Sequence, residues 1–83
     1  MAQVELTRKA QQQADELPKT IRARLYRVIQ RLENWPNVSG AKPLRGNLAG
    51  HYRIRSGAYR IQFYVTGDVV CIDKIGHRDD FYD

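Results

Sequence analysis

The sequence predicts an α+β fold in which a short N-terminal strand and a helical hairpin pack on an antiparallel sheet of three to four strands. Three observations carry that prediction. Apolar residues recur at helical spacing as far as Trp35, the period changes to two after Gly50, and glycine and proline punctuate the stretch between them. At 83 residues the chain is one domain, 1–83, near the lower size at which a single core sustains itself. Its 42% hydrophobic and 28% charged residues suit a folded globule rather than a disordered chain.

The first element is "QVEL", a short extended segment before Thr7, which has the side chain to cap a helix. Leu6, Ala10, Ala14 and Leu17 then recur on one helical face, and Pro18 closes that helix by pushing its predecessor out of the α region. Thr20 is the candidate cap of a second helix, Thr20 to Trp35. Ile21, Leu25, Val28, Ile29, Leu32 and Trp35 form its apolar stripe, and Arg22, Arg24, Arg27 and Arg31 fall mostly outside it. Pro36 stops the helix, and "NVSGAKPLRGN" reads as a loop.

After Gly50, Tyr52 and Ile54 alternate with Arg53 and Arg55. Tyr59, Ile61, Phe63 and Val65 alternate with Arg60, Gln62 and Tyr64. With Ser56-Gly57 as a two-residue loop, Arg55 faces Ala58, Ile54 faces Tyr59, and Arg53 faces Arg60. Tyr52, Ile54, Tyr59 and Ile61 then share the core face and the three arginines share the other, a parity that a one-residue slip would destroy. "VVCI" reads as a strand buried on both faces, with Cys71 in the core and a polar tail from Gly76 onward.

Charge narrows the function. The net charge is +5 and the pI about 9.7. Between Glu33 and Asp68 there is no acidic residue, while Lys42, Arg45, Arg53, Arg55 and Arg60 all fall there. Such a block suits a polyanion, with nucleic acid the first candidate and anionic lipid the second; a merely solvated basic surface is the plain alternative. Cys71 is the single cysteine, so no intramolecular disulfide and no cysteine-based zinc site can form. No segment is apolar enough for a signal peptide or a bilayer span, and a cytoplasmic location is expected.

The segment "IGHRDDFYD" adds chemistry to charge. RNA is cut without metal or water when its 2′-hydroxyl attacks the adjacent phosphate. That route needs a base at the 2′-oxygen, an acid at the departing 5′-oxygen, and positive charge around phosphorus. Arginines supply the charge but stay protonated. Tyr82 is a candidate base provided neighbouring guanidinium groups draw its pKa down from about 10, and His77 is its rival with an ordinary value near 6.5. Each has a plainer reading, Tyr82 as a plug over the core and His77, like His51, as a loop residue. Asp79-Asp80 is too sparse a ligand set for a metal, and no cofactor is expected.

The stretches "KPLRGNLAGHYRIRSGAYRIQFYV" and "VVCIDKIGHRDDFYD", with the helical hairpin "ELTRKAQQQADELPKTIRARL" before them, resemble the RelE/ParE toxins of bacterial type II toxin–antitoxin systems. The resemblance implies a RelE-like microbial RNase fold and, for the RelE-like branch, a ribosome-dependent endoribonuclease that cuts messenger RNA in the decoding site. Arg53 and Arg55 match its phosphate-contacting strand positions, which are often lysine in that family. Arg60, Arg78 and Tyr82 match its catalytic positions. Lys42, Arg45 and His77 complete the candidate RNA-contacting set. The resemblance also implies a cognate antitoxin, acidic and folding as it binds, in a toxin–antitoxin hetero-oligomer with no membrane partner. The ParE-like branch implies instead a gyrase-inhibiting toxin without nuclease activity, and an inert, antitoxin-binding relic is a third option.

Overall fold

The computed structural model describes residues 1–81. Its elements are β1 (Gln3–Leu6), α1 (Arg8–Asp15), α2 (Lys19–Arg31), β2 (Lys42–Pro43), β3 (His51–Ser56), β4 (Tyr59–Thr66) and β5 (Val69–His77), with short 3-10 turns at Leu32–Asn34, Gly46–Leu48 and Arg78–Phe81. The strands form one sheet in the order β1-β5-β4-β3-β2, and both helices pack on one of its faces.

The α+β class is as the sequence predicts, but the sheet has five strands and is mixed. β1 runs parallel to β5, from Gln3 opposite Val69 to Leu6 opposite Ile72. Where β1 ends, α1 takes over the edge: the Ile75 N–H donates to the Gln13 side-chain oxygen at 2.8 Å. Thr7 caps α1 as expected, its hydroxyl accepting from the Ala10 N–H at 3.1 Å. Thr20 does not cap α2. That helix starts at Lys19 with Pro18 in the cap position, where the fixed proline φ sets the entry and no side chain accepts a hydrogen bond. Its last turn tightens over Leu32–Asn34 and stops at Trp35.

The β3–β4 hairpin departs from the sequence register in an instructive way. Ser56 pairs with Tyr59 and Ile54 with Ile61, so the loop residues are Gly57-Ala58 rather than Ser56-Gly57. Gly57 has φ +59 and Ala58 has a negative φ, the pattern of a loop whose first position needs glycine. Moving the loop by one residue shifts every partner by two, so the faces keep their residues and the partners change. Arg60 therefore opposes Arg55, and Arg53 opposes Gln62.

The core lies between helices and sheet. Ala10, Ala14, Leu25, Val28 and Leu32 meet Ile54, Ile61, Phe63, Val70, Ile72 and Ile75. Trp35 packs edge-on against Tyr52 and Phe63 at 4.8 and 5.3 Å between ring centroids. Each fully buried large side chain here contributes about 1.5–3 kcal/mol. Cys71 is not in this core. Val70 and Ile72 are buried while Val69 and Cys71 are only half covered, because β5 alternates like the other strands. β5 also runs on through His77, beyond the point where the sequence suggests a tail. Among the described residues, no helix is long and apolar enough to cross a membrane.

Candidate functional site

The sheet face away from the helices carries the site. Strand parity delivers Lys42, Arg53, Arg55 and Arg60 to it. β2 places Lys42 beside Arg53, and the hairpin places Arg55 beside Arg60. Directly opposed like charges cost about 0.2–1 kcal/mol each, so this row is not arranged for stability. Among the described residues, no carboxylate comes within ion-pair distance of Arg55 or Arg60. Among the described residues Arg60 is held by backbone carbonyls, its Nη1 donating to Gly57 O at 2.9 Å and Tyr59 O at 3.0 Å.

The chain then folds back over this face. The Arg78 N–H donates to Ala58 O at 2.7 Å, which fastens the final turn to the hairpin loop. Gly76 makes room for the turn: a Cβ there would stand 3.3 Å from an Asp80 carboxylate oxygen and 3.6 Å from the Phe81 ring. Phe81 is 6% exposed. Its ring lies 4.4 Å from Lys74 Nζ and 5.1 Å from the Arg53 guanidinium carbon, within cation–π reach of both. Lys74 also donates to Asp80 O at 2.7 Å. The result is a cleft of about 430 Å³ lined by Arg53, Arg60, Arg78, Asp79 and Phe81. Guanidinium groups from β3, β4 and the closing turn thus share one opening.

A hydrogen-bonded chain runs from Arg53 in the cleft wall to His51. Arg53 Nη2 donates to Gln62 Oε1 at 3.1 Å, Gln62 Nε2 donates to Asp73 Oδ1 at 3.4 Å, and Asp73 Oδ2 meets His51 Nε2 at 3.1 Å. A β-bulge makes this possible. Gln62 faces Lys74 while Phe63 faces Ile72, so Asp73 is an extra residue that can turn its carboxylate to the open face beside Lys74. Gln62 is 7% exposed and is the buried polar residue among those described. Replacing it with leucine removes an acceptor from Arg53 and a donor from Asp73, and should lower the unfolding free energy by about 1–3 kcal/mol. Urea denaturation measures this, and an unchanged midpoint would show that the chain of bonds carries no stability.

The other sequence candidates are placed as follows. Lys42 and Arg55 are exposed and line a second cleft next to the first. Arg45 is exposed and lines neither. His77 pairs with Tyr59, its ring 5.5 Å from the tyrosine, while Arg60 lies across from Gly76. That register gives His77 the face of Tyr59, and it does not line the cleft; its Nδ1 accepts from the Asp79 backbone N–H at 3.1 Å and lies 3.3 Å from the Asp79 carboxylate. Arg78 and Asp79 stand 3.9 Å apart, each side chain 65% exposed, a separation and exposure at which an ion pair is worth little. Tyr82 lies outside the described residues.

Gln62, Asp73, Lys74 and Phe81 carry no motif and are missed by sequence reasoning. Only the parity of Gln62 with Arg60 on one strand pointed to any of them. Farther along the open face, Cys71 neighbours Tyr64, and its hydrogen bond and charge hold the Tyr64 phenol above its usual range. Among the described residues, no three metal-ligating side chains gather at one point.

This architecture has counterparts. The family model described as the ParE toxin of type II toxin–antitoxin systems matches residues 4–82. The chain belongs to the RelE/ParE toxin family. Toxin RelE3 of Methanocaldococcus jannaschii is 33% identical to it over 70 residues, covering 81% of this chain and 80% of that protein. In the solved RelBE2 toxin–antitoxin complex of Mycobacterium tuberculosis, a chain 28% identical matches it with a TM-score of 0.82, over 93% of this chain and 98% of that one. The RelB–RelE antitoxin–toxin complex of Methanococcus jannaschii gives 0.77 at 28% identity, over 94% of each chain. The relatives are RelE toxins, and the protein is a RelE-like toxin in which the arginines of the hairpin and those of the closing turn meet on one face of the sheet.

Proposed function

We propose that this toxin is a messenger RNA endoribonuclease acting in the ribosomal decoding site, and that it cleaves by internal attack without a bound cofactor. The 2′-oxygen bonds to phosphorus as the bond to the 5′-oxygen breaks, the 2′-proton leaves to a base and the 5′-oxygen gains a proton. A cyclic phosphate and a 5′-hydroxyl result. The observation that carries this reading is the convergence of Arg53, Arg60 and Arg78 from three elements on one cleft. Planar forks suit a phosphate that gathers charge on its equatorial oxygens. Arg60 and Arg78 stabilise that charge, Arg53 and Arg55 seat the strand, and Tyr82, which follows Phe81 in sequence, is the base. Lys42 extends the contact surface. Arg45 and His77 would act only outside the cleft.

A cognate antitoxin belongs to the same reading. Structures similar to this chain at 28% identity come from complexes described as toxin with antitoxin, which supports such a partner. An acidic segment that folds as it binds would match the arginine face and silence the cleft in the cytoplasm.

The family model is described by the ParE toxin, which favours a second reading in which the protein inhibits gyrase by contact and cuts nothing. Mapping 5′ ends of cellular RNA after brief induction separates the two. New 5′-hydroxyl ends inside coding sequences are expected. Intact transcripts with stalled DNA replication would transfer the function to gyrase, and no growth arrest at all would leave an inert antitoxin binder.

A further inference from the structure

The second cleft is not an accident of the first. It measures about 470 Å³ and is lined by Arg31, Ser39, Gly40, Lys42, Leu44, Arg53, Ile54, Arg55 and Arg60. Arg53 and Arg60 belong to both clefts, so the two form one continuous groove that leaves the open face and turns round the edge of the sheet. Three things build that turn. β2 is only two residues long, so β3 is uncovered beyond Arg53, the partner of Lys42. Gly40 adopts φ +90 as the chain comes up to the edge strand, facing Ile54. Arg31, reaching over from the end of α2, is fixed there by its Nη2, which donates to Ser39 O at 2.9 Å and lies 3.3 Å from Ser39 Oγ.

We propose that this second cleft is a subsite for the nucleotide next to the scissile phosphate, with Arg31 and Lys42 binding the flanking phosphate and Leu44 giving the base an apolar wall. The inference rests on the RNA reading of the first cleft and extends it to residues outside that opening. Four guanidinium groups and one ammonium line the space, and among the described residues no carboxylate does. The volume is that of a small-ligand pocket rather than a flat protein-docking face. A strand whose scissile phosphate sits between Arg53 and Arg60 is already at the mouth of the second cleft. Arg31 lies outside the apolar stripe of α2 and is exposed, yet its hydrogen bond to Ser39 holds it at the groove.

The test uses the isolated full chain, isotopically labelled for NMR, and RNA blocked by 2′-O-methyl groups so that nothing is cut. A dinucleotide should shift the signals of Arg60, Arg78 and Phe81. A pentanucleotide should add shifts at Ser39 and Gly40. Exchanging Arg31 and Lys42 together for glutamine should weaken the pentanucleotide about tenfold. It should also flatten the slope of log affinity against log salt by about 0.7, the share of the one flanking phosphate on a single strand. Lys42→Glu alone, at an exposed edge position, provides a second variant if the first loosens the Ser39 loop. Shifts at Arg60 and Phe81 without any at Ser39 and Gly40 would overturn the subsite and leave the first cleft intact. Shifts nowhere would overturn both. If a glutamate-rich peptide moves Ser39 and Gly40 where RNA does not, the groove belongs to a protein segment and the subsite is refuted.

Discussion

Replacing Arg60 with alanine should lower RNA cleavage by about 10²–10³-fold, the usual loss when one fixed donor to a developing charge is removed. The same change should leave the protein as stable as before or slightly more so. Both expectations come from where the side chain sits. Arg60 lies on β4 between β3 and β5, opposite Arg55, and it lines both clefts. Its fixed geometry comes from two carbonyls at the hairpin loop, which orient the guanidinium without neutralising it. Truncation removes that pre-aimed charge from the groove. It also removes the repulsion of a directly opposed cation, worth about 0.2–1 kcal/mol, which offsets the lost carbonyl contacts. Single-turnover cleavage and urea denaturation, run on the same preparation, separate the effects. A variant that loses cleavage together with its unfolding midpoint would make Arg60 a structural residue. Arg60→Lys should recover only part of the rate, since an ammonium keeps the charge but not the paired donors.

How far the sequence reaches can be judged at the same residues. The apolar stripe from Ile21 to Leu32 is a local signal, and α2 follows it closely. Period two in the hairpin is equally local, which is why Arg53, Arg55 and Arg60 fall on one face. Which arginine opposes which was not legible from parity, because a loop at Gly57-Ala58 preserves every face while changing every partner. Only the backbone preference of Gly57 distinguishes the two loops. The parallel β1–β5 pair and the two-residue β2 depend on partners far away in the chain, and neither "QVEL" nor "KP" names its partner. The relay through Gln62 and Asp73 sits at a bulge, which sets Asp73 and Lys74 side by side on the open face where strict alternation would send one of them to the core. His77 was misplaced for a related reason. A strand that ends before Gly76 leaves the histidine free to swing, whereas β5 carries it to the register of Tyr59. The closing turn was legible as a segment able to fold back, and Phe81 is an aromatic that the described residues show anchored on the sheet.

Changing Tyr82 to phenylalanine should cost cleavage about 10²–10⁴-fold, the range for a positioned acid or base. The substitution removes one hydroxyl and keeps the ring, so an aromatic that merely plugged the core would tolerate it. The rival base is His77. Its place beside Tyr59, with Nδ1 against Asp79, keeps it out of the cleft lining, so His77→Ala should leave the rate within the ordinary range of surface substitutions. The anchor for the tyrosine assignment is its neighbour. Phe81 is buried against Lys74 and Arg53, and Arg78 is tied to the hairpin loop, so residues 78–81, which lead to Tyr82 in sequence, are fixed at the arginine-lined cleft. Rate, growth arrest and binding of blocked RNA together make the outcome decisive. Cleavage lost and arrest relieved, with blocked RNA still bound, assigns the phenol to proton transfer. Loss in His77→Ala and none in Tyr82→Phe would move the base to the histidine and require β5 to open at its end. Growth arrest that survives the loss of cleavage would mean that the poison works through another contact, and the arginine groove would then be a protein-binding face rather than an RNA-cutting one.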